Sequence, residues 1–474
     1  KGSWIAQIKA SNKNKGEALL IANDYRRFNY TPYAYRTKDY GANWSRIVDE
    51  NDVKSYTLSI VEDPINANLL FLGTDDGLYV SLDAGNQWSK WTAGFPTVST
   101  KDLVIQPREH DLVIGTFGRA AWVLDDIRPL RAMASGNVFD KKLQLFTPPT
   151  AYQAAYQQPT GSRFGGDALF NGENKKSGAM ISYYINRSDD ASDKKVEKST
   201  KNKKKRNKTK KITTPDPSKE IVPKVKYDSI KLEIFDGSRL IRTLKQKAPK
   251  ENGIHRIYWS MNERGADRPS RKIRKRNFEP GGVSVKPGTY NLKMTFGDQT
   301  SESSITVEYD PRLEMSTEAI AEIYNVSKDL EKDQQLMADI VKQLAESKQT
   351  ATGFKKDLDK EDKKKYKDQI KLSKDIITKI DKLIAVYIGS VDKRQGITRN
   401  PEVTVNRRYF SARSYVGSRF GHLTSTEERL ISQFKKAFND AVKKTNSFFE
   451  TDWKTYKTTL ETIRISPFKE IQKF

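Results

Sequence analysis

Two eight-residue segments of the chain follow one pattern, Ser/Thr-x-Asp-x-Gly-x-x-Trp. They are Thr37-Lys38-Asp39-Tyr40-Gly41-Ala42-Asn43-Trp44 and Ser81-Leu82-Asp83-Ala84-Gly85-Asn86-Gln87-Trp88. This pattern, the Asp-box, has four defined residue types in fixed order, and meeting it twice constrains the fold more than any other feature. Its chemistry is that of a hairpin turn: a short carboxylate accepts backbone N–H groups, glycine supplies a positive φ, and tryptophan packs beneath the turn. Local side-chain bonding accounts for Asp39 and Asp83, so they are read as turn residues rather than catalysts. Thr37, Gly41, Trp44, Ser81, Gly85 and Trp88 are read with them as structural.

Asp83 follows Asp39 by 44 residues, and Asp125 of a degenerate third copy, Trp122-Val123-Leu124-Asp125-Asp126, follows Asp83 by 42. Repeats near ~43 residues are those of four-stranded propeller blades. The flanks repeat as well, Val61-Glu62-Asp63-Pro64 before Leu69–Thr74 paralleling Val104-Ile105-Gln106-Pro107 before Leu112–Thr116. Roughly two and a half blades fit before the pattern stops near Pro129, whereas a closed propeller takes about four to eight. The expectation is that an upstream fragment or a protein partner completes it.

Ala22–Arg27, Thr31-Pro32-Tyr33, Asp39–Trp44, Phe71–Thr74, Gly77–Ser81 and Gly115–Leu130 together resemble the last blades of bacterial sortilin-like BNR/Asp-box repeat proteins. That family is often labelled glycosyl hydrolase by repeat homology. The resemblance covers most of the chain outside its basic insertion. It implies a large secreted or envelope protein of Bacteroidetes type, with a propeller, a β-sandwich and a helical tail, and it carries over no catalytic residue.

The 474 residues leave room for several compact modules. Three regions are expected: the last propeller blades over 1–148, an immunoglobulin- or fibronectin-like β-sandwich over 149–310, and a helical hairpin or three-helix bundle over 311–474. The fold class is therefore multidomain, mainly β and then α. The sandwich rests on short alternating strands such as Gly178–Ile185, Ile230–Phe235 and Tyr290–Phe296. The tail rests on apolar stripes at helical spacing. One runs from Ile320 to Leu344, a second from Leu358 to Ile388, and a third follows the capping box Thr424-Ser425-Thr426-Glu427, with an irregular stretch from Arg394 to His422.

Charge and composition limit the chemistry. The chain has no Cys and three His, which removes disulfides, thiolate zinc sites and cysteine nucleophiles, and no metal or cofactor is expected. No run of eighteen apolar residues occurs, and the start Lys1-Gly2-Ser3-Trp4 lacks the order of a signal peptide. The net charge of +25 is concentrated: Lys194–Lys211 holds eleven Lys or Arg against Glu197 alone. Without an apolar pattern, this tract reads as a disordered insertion, about 187–226, that interrupts the sandwich. It is a candidate contact for an anionic envelope surface, as is the shorter tract Arg268–Arg276. Nucleic acid is not expected, since no aromatic residue interleaves the lysines to stack on bases.

The sequence favours a non-catalytic binding or assembly protein of the cell envelope or exterior, with a propeller that holds a polypeptide or a glycan. The alternative is a glycoside hydrolase, which needs two carboxyl groups roughly 5–10 Å apart. Asp75 and Asp76, on the turn Gly73–Gly77, are adjacent carboxylates in a plausible rim loop, and Arg119 in Phe117-Gly118-Arg119 is placed to meet an anionic group. Each also fits an ordinary turn.

Overall fold

A computed structural model describes residues 2–154, 175–187, 226–273, 278–391 and 402–463. The tract Lys194–Lys211 lies outside these residues, as do Arg274, Lys275 and Arg276.

Three antiparallel sheets succeed one another. The first is β1 (Trp4–Ala10), β2 (Ala18–Asp24), β3 (Asn29–Thr37) and β4 (Ser45–Arg46). The second is β5 (Thr57–Glu62), β6 (Leu70–Thr74), β7 (Gly77–Ser81) and β8 (Ser89–Lys90). The third is β9 (Thr100–Gln106), β10 (Asp111–Thr116) and β11 (Ala121–Leu124). In each, strands adjacent in sequence pair as a meander.

The middle sheet is buried on both faces, which is why β6 and β7 read as near-continuous apolar runs rather than alternating ones. Leu70, Leu72 and Tyr79 pack with Leu19, Ile21 and Ala34 of the first sheet. Phe71, Leu78 and Val80 pack with Leu103, Leu112 and Ile114 of the third. Each Leu, Ile, Val and Phe among them contributes roughly 1.5–3 kcal/mol by leaving water. After β11 the chain enters the short helix α1 (Arg128–Ser135), where the other two sheets have a fourth strand. The guanidinium of Arg131 meets the buried Asp63 carboxylate at 2.6 Å and ties α1 to the turn before β6.

The second unit holds β12 (Leu143–Leu145), β13 (Ala151–Gln153), β14 (Ala179–Ile185), β15 (Ser229–Asp236), β16 (Arg239–Lys247), β17 (Gly253–Trp259), β18 (Asn262–Arg264), β19 (Gly281–Ser284), β20 (Gly288–Phe296) and β21 (Gln299–Tyr309). One sheet has the order β12-β14-β17 and the other β13-β21-β20-β15-β16, with β18 and β19 forming a separate ribbon. The two larger sheets share one core in which Ile181, Tyr183 and Trp259 of the first meet Leu232, Met294 and Ile305 of the second. Alternation along β15, with Ile230, Leu232 and Ile234 inside, sets that register.

The C-terminal region is helical: α2 (Thr317–Glu361), α3 (Lys367–Ile388), α4 (Val405–Gly417), α5 (Ser425–Phe448) and α6 (Lys454–Glu461). The Ser316 hydroxyl accepts the Ala319 N–H and starts α2. Asp362 accepts the N–H groups of Lys364 and Lys365 and turns the chain into α3. The Glu427 carboxylate accepts both the N–H and the hydroxyl of Thr424 at the start of α5. Three helices were expected, and five are present among the described residues. Helix α4 falls within the stretch read as irregular, because its buried stripe of Val405, Tyr409, Ala412 and Val416 is interleaved with arginines. One core unites Leu330 and Val341 of α2 with Ile380 of α3, Tyr409 of α4 and Phe434 of α5.

Glu263 of β18 joins the sheets to the helices. It is buried, takes both terminal nitrogens of Arg239 at 2.9 and 3.1 Å, the Tyr324 hydroxyl at 2.6 Å and the Lys328 ammonium at 3.2 Å. Burial alone raises a carboxyl pKa, but these three donors outweigh it and hold Glu263 at about 2.

Candidate functional site

The two Asp-boxes are the turns between the third and fourth strands of the first two sheets. In each, the hydroxyl of Thr37 or Ser81 accepts the N–H of Gly41 or Gly85, at 2.9 and 2.8 Å. Asp39 accepts the N–H of Asn43 at 2.8 Å, and Asp83 that of Gln87 at 2.9 Å. The backbone turns left-handed at Tyr40-Gly41 and again at Ala84-Gly85. The bond from the Asn43 N–H, with further bonds from Asn43 and Thr37 side chains, holds the Asp39 carboxyl below its ordinary range. The pattern thus closes hairpins.

The opposite ends of the sheets carry a different chemistry. There the second strand of each sheet turns into the third, at Tyr25–Phe28, Asp75-Asp76 and Phe117–Ala120. Hydrogen bonds bring these ends side by side: the Thr57 hydroxyl reaches the carbonyls of Ala22 and Tyr33 of the first sheet, and the Ser59 hydroxyl that of Thr100 of the third. Along this rim Phe28 is 86% exposed, Phe117 74% and Tyr30 54%. Phe28 is also left-handed, at φ 61°, a conformation that bulky side chains rarely adopt.

Beneath these tips the rim is ordered. Tyr25 stacks on Tyr56 with ring centroids 4.8 Å apart, and Tyr30 lies 6.0 Å from the same ring. The Arg26 guanidinium sits over Trp4 and Tyr25 at 5.6 and 5.5 Å, and the Lys101 ammonium over Phe117 at 5.7 Å. Burial, with the Asp75 carboxylate bonded to it, pushes the Tyr56 phenol up to about 12. Tyr56 therefore stays a protonated donor to Asp75.

Asp75, Asp76 and Arg119 all lie on this rim. Asp76 is committed within its hairpin, accepting from the Thr74 hydroxyl at 2.9 Å, the Tyr79 hydroxyl at 3.3 Å and the Lys90 ammonium at 2.9 Å. Arg119 is exposed, and its carbonyl accepts the Trp122 indole N–H. The structure adds the aromatic tips, which the sequence reading passed over. Their signal was available, since Tyr25, Phe28, Tyr30 and Phe117 crowd two hairpin tips that otherwise favour Gly, Asn and Asp.

A second concavity, of about 780 Å³, opens where the third sheet, the two-sheet unit and α2 meet, with Tyr152, Tyr309 and Tyr324 in its wall. Its acids are largely engaged: Asp126 holds Arg128 at 2.5 Å, and Asp125 lies 3.7 Å from Lys175. Among the described residues, no group of three or more His, Asp or Glu is arranged to hold a metal ion, and no helix is long and apolar enough to cross a membrane.

The family model for sortilin (Sortilin-Vps10, neurotensin receptor 3) aligns with residues 33–221, less than half of the chain. No curated protein matches. A solved GH74 enzyme of Niastella koreensis is 19% identical over 26% of this chain and 21% of its own, with a TM-score of 0.23. An ancestral GH74 enzyme is 15% identical over 25% of this chain and 14% of its own, with a TM-score of 0.21. The chain thus spans about a fifth or less of those structures, and likenesses so slight carry no argument about fold or activity.

Proposed function

We propose that the three stacked sheets are consecutive blades of a β-propeller and that their aromatic rim binds a polypeptide or a glycan without chemically altering it. The observation that carries this reading is the row of exposed aromatic tips, Phe28, Tyr30 and Phe117, with Arg26, Lys101 and Arg119 among them. Flat aromatic faces stack on the C–H faces of sugar rings or on proline and aromatic side chains, and the adjacent cations orient a polar group. A ligand whose affinity rests on the rim is expected to lose it on Phe28→Ala, and arrays of glycans and peptides probed with the full chain test that.

The propeller reading is supported by the match to the sortilin model, the ~43-residue repeat and the face-to-face sheets. By the same logic, another sheet of this kind, from an upstream fragment or a partner protein, covers the outer face of the first sheet. Ile5 and Ile8 stand exposed on that face. Trp88 is 6% exposed against the preceding sheet, whereas its counterpart Trp44 is 37% exposed. Introducing a charge with Ile8→Glu would then block assembly of the complete ring.

We assign the two-sheet unit to the immunoglobulin- or fibronectin-type sandwiches, as a support for the propeller together with the helices. Its mainly antiparallel strands and single shared core support this. A location in the cell envelope or outside the cell, with Lys194–Lys211 against an anionic surface, completes the proposal. Fractionation of cells and vesicle binding by a chain lacking that tract test both parts. Hydrolysis of a glycosidic bond is the second reading. Asp75 motivates it, as the rim carboxylate engaged by fewer partners than Asp76.

A further inference from the structure

Between the outer edge of the five-stranded sheet and the helices lies a cleft of about 1430 Å³ whose wall carries more cations than acids. Arg242 and Lys245 come from β16, Arg264, Arg268 and Lys272 from β18 and the segment after it, and Arg413 from α4. Arg264, Lys245, Lys272 and Arg413 have no carboxylate partner among the described residues, and Arg268 lies over the Phe410 ring at 5.7 Å. The same wall holds four acids, Asp267, Glu279, Glu331 and Asp339, against seven Lys and Arg; Glu331 pairs with Lys328 at 2.6 Å, Glu279 accepts the N–H of Thr243 at 2.9 Å and Asp339 accepts the Gln335 amide at 3.0 Å. Arg242 is buried, and its terminal nitrogens donate to the carbonyls of Glu263, Glu279 and Pro280, not to a carboxylate. Positive charge therefore exceeds negative charge in a concave, partly dry wall, where an anion is held more strongly than on open surface.

The strand in that wall is an edge. Among the described residues the sheet order ends at β16, and the β18–β19 ribbon meets that strand at Arg242, whose guanidinium donates to the Glu263 carbonyl. The Thr243 N–H points outward, since it meets the Glu279 carboxylate instead of β15. Backbone direction alternates along a strand, so Lys245 and Lys247 present their N–H and C=O groups the same way. The Ala248 N–H, of opposite parity, turns inward to the Asp228 carbonyl, as this alternation requires. Residues 245–247 are exposed.

We propose that this cleft binds an acidic stretch of polypeptide in extended form, added as a strand beside Lys245–Lys247 with its carboxylates on Arg264, Arg268 and Arg413. Glu279 on the Thr243 N–H shows the same contact made internally, a carboxylate against the β16 edge. Main-chain pairing supplies the orientation and the arginines the charge selection. The site is separate from the aromatic rim, so either can fail without the other.

The test uses the full chain and a fluorescein-labelled ten-residue peptide of alternating Glu and Val, followed by anisotropy. Binding is expected, with affinity falling as salt rises, no binding of the Lys-Val counterpart, and slowed amide exchange at Lys245 and Lys247. The Arg264→Glu/Arg413→Glu double variant should bind at least tenfold more weakly. Should that variant fail to fold, the same Glu-Val peptide N-methylated at alternate residues replaces it, since methylation removes pairing and keeps charge. Equal binding of the methylated peptide would overturn the proposal, as would binding of sulfated polysaccharide but not of the Glu-Val peptide.

Discussion

The indole N–H of Trp88 donates to the carbonyl of Ile47 at 2.7 Å, joining the second Asp-box to the sheet that carries the first. The same residue receives a further tie, since its backbone N–H donates to Asp52 at 3.0 Å. An Asp-box tryptophan is thus a bond between neighbouring sheets as much as a plug for its own hairpin. Its worth depends on a neighbour being there.

Trp88→Ala is expected to cost about 3–5 kcal/mol, the range for emptying a buried aromatic site. Trp44→Ala, at the equivalent and more open position, should cost about 1 kcal/mol in this chain. Denaturant titration of both variants compares them. Equal losses would show that the tryptophans act within their own hairpins.

Gly73 lies at a close approach between the second and third sheets. A Cβ there would lie 2.6 Å from the Thr100 carbonyl oxygen and closer still to the Ser59 hydroxyl. Backbone cannot yield as a flexible side chain does, so Gly73→Ala should lower stability by about 1–3 kcal/mol. A thermal melt unchanged from the parent would contradict the stacking of β6 on β9.

Glu263 gives a dependence on pH. Its carboxyl titrates at about 2 when folded, below the ordinary value of 4.5. A depressed acid stabilises the fold fully above its unfolded pKa, and that stabilisation is lost as pH falls through the folded value. The parent should therefore lose this contribution between about pH 4.5 and 2. Glu263→Gln should be less stable at pH 7 by about 2–3 kcal/mol, under the range for buried pairs because Arg239 is half exposed, and should show a flatter acid limb. Parallel acid limbs in the two proteins would remove Glu263 as the linkage.

Release of reducing ends from a panel of glycans is not expected of the chain, nor any change on Asp75→Asn. Turnover abolished by that substitution would move the site to the glycoside hydrolases.

Much of the sheet and helix structure was legible because burial leaves a period. Ile230, Leu232 and Ile234 alternate, and Ile370, Ile380 and Ile384 recur on one helix face, so β15 and α3 stood out. Short elements were not legible: β12, β13 and β18 have three residues each, too few for any period, and are held by partners far away in sequence. The stripe of α4 was masked by Arg407, Arg408 and Arg413. At the rim, Asp75 and Asp76 stand out as adjacent carboxylates and Arg119 as a turn arginine, but the aromatic tips carry no such mark. Their meaning comes from exposure, which only the stacking of the sheets reveals.

Titration calorimetry of the full chain with a glycan or peptide selected from arrays, repeated with Phe28→Ala and with Phe117→Ala, tests the central claim most directly. A ligand is expected whose affinity falls at least tenfold in each variant while the melting temperature holds, since both side chains are exposed. Unchanged affinity for every selected ligand in both variants would contradict it.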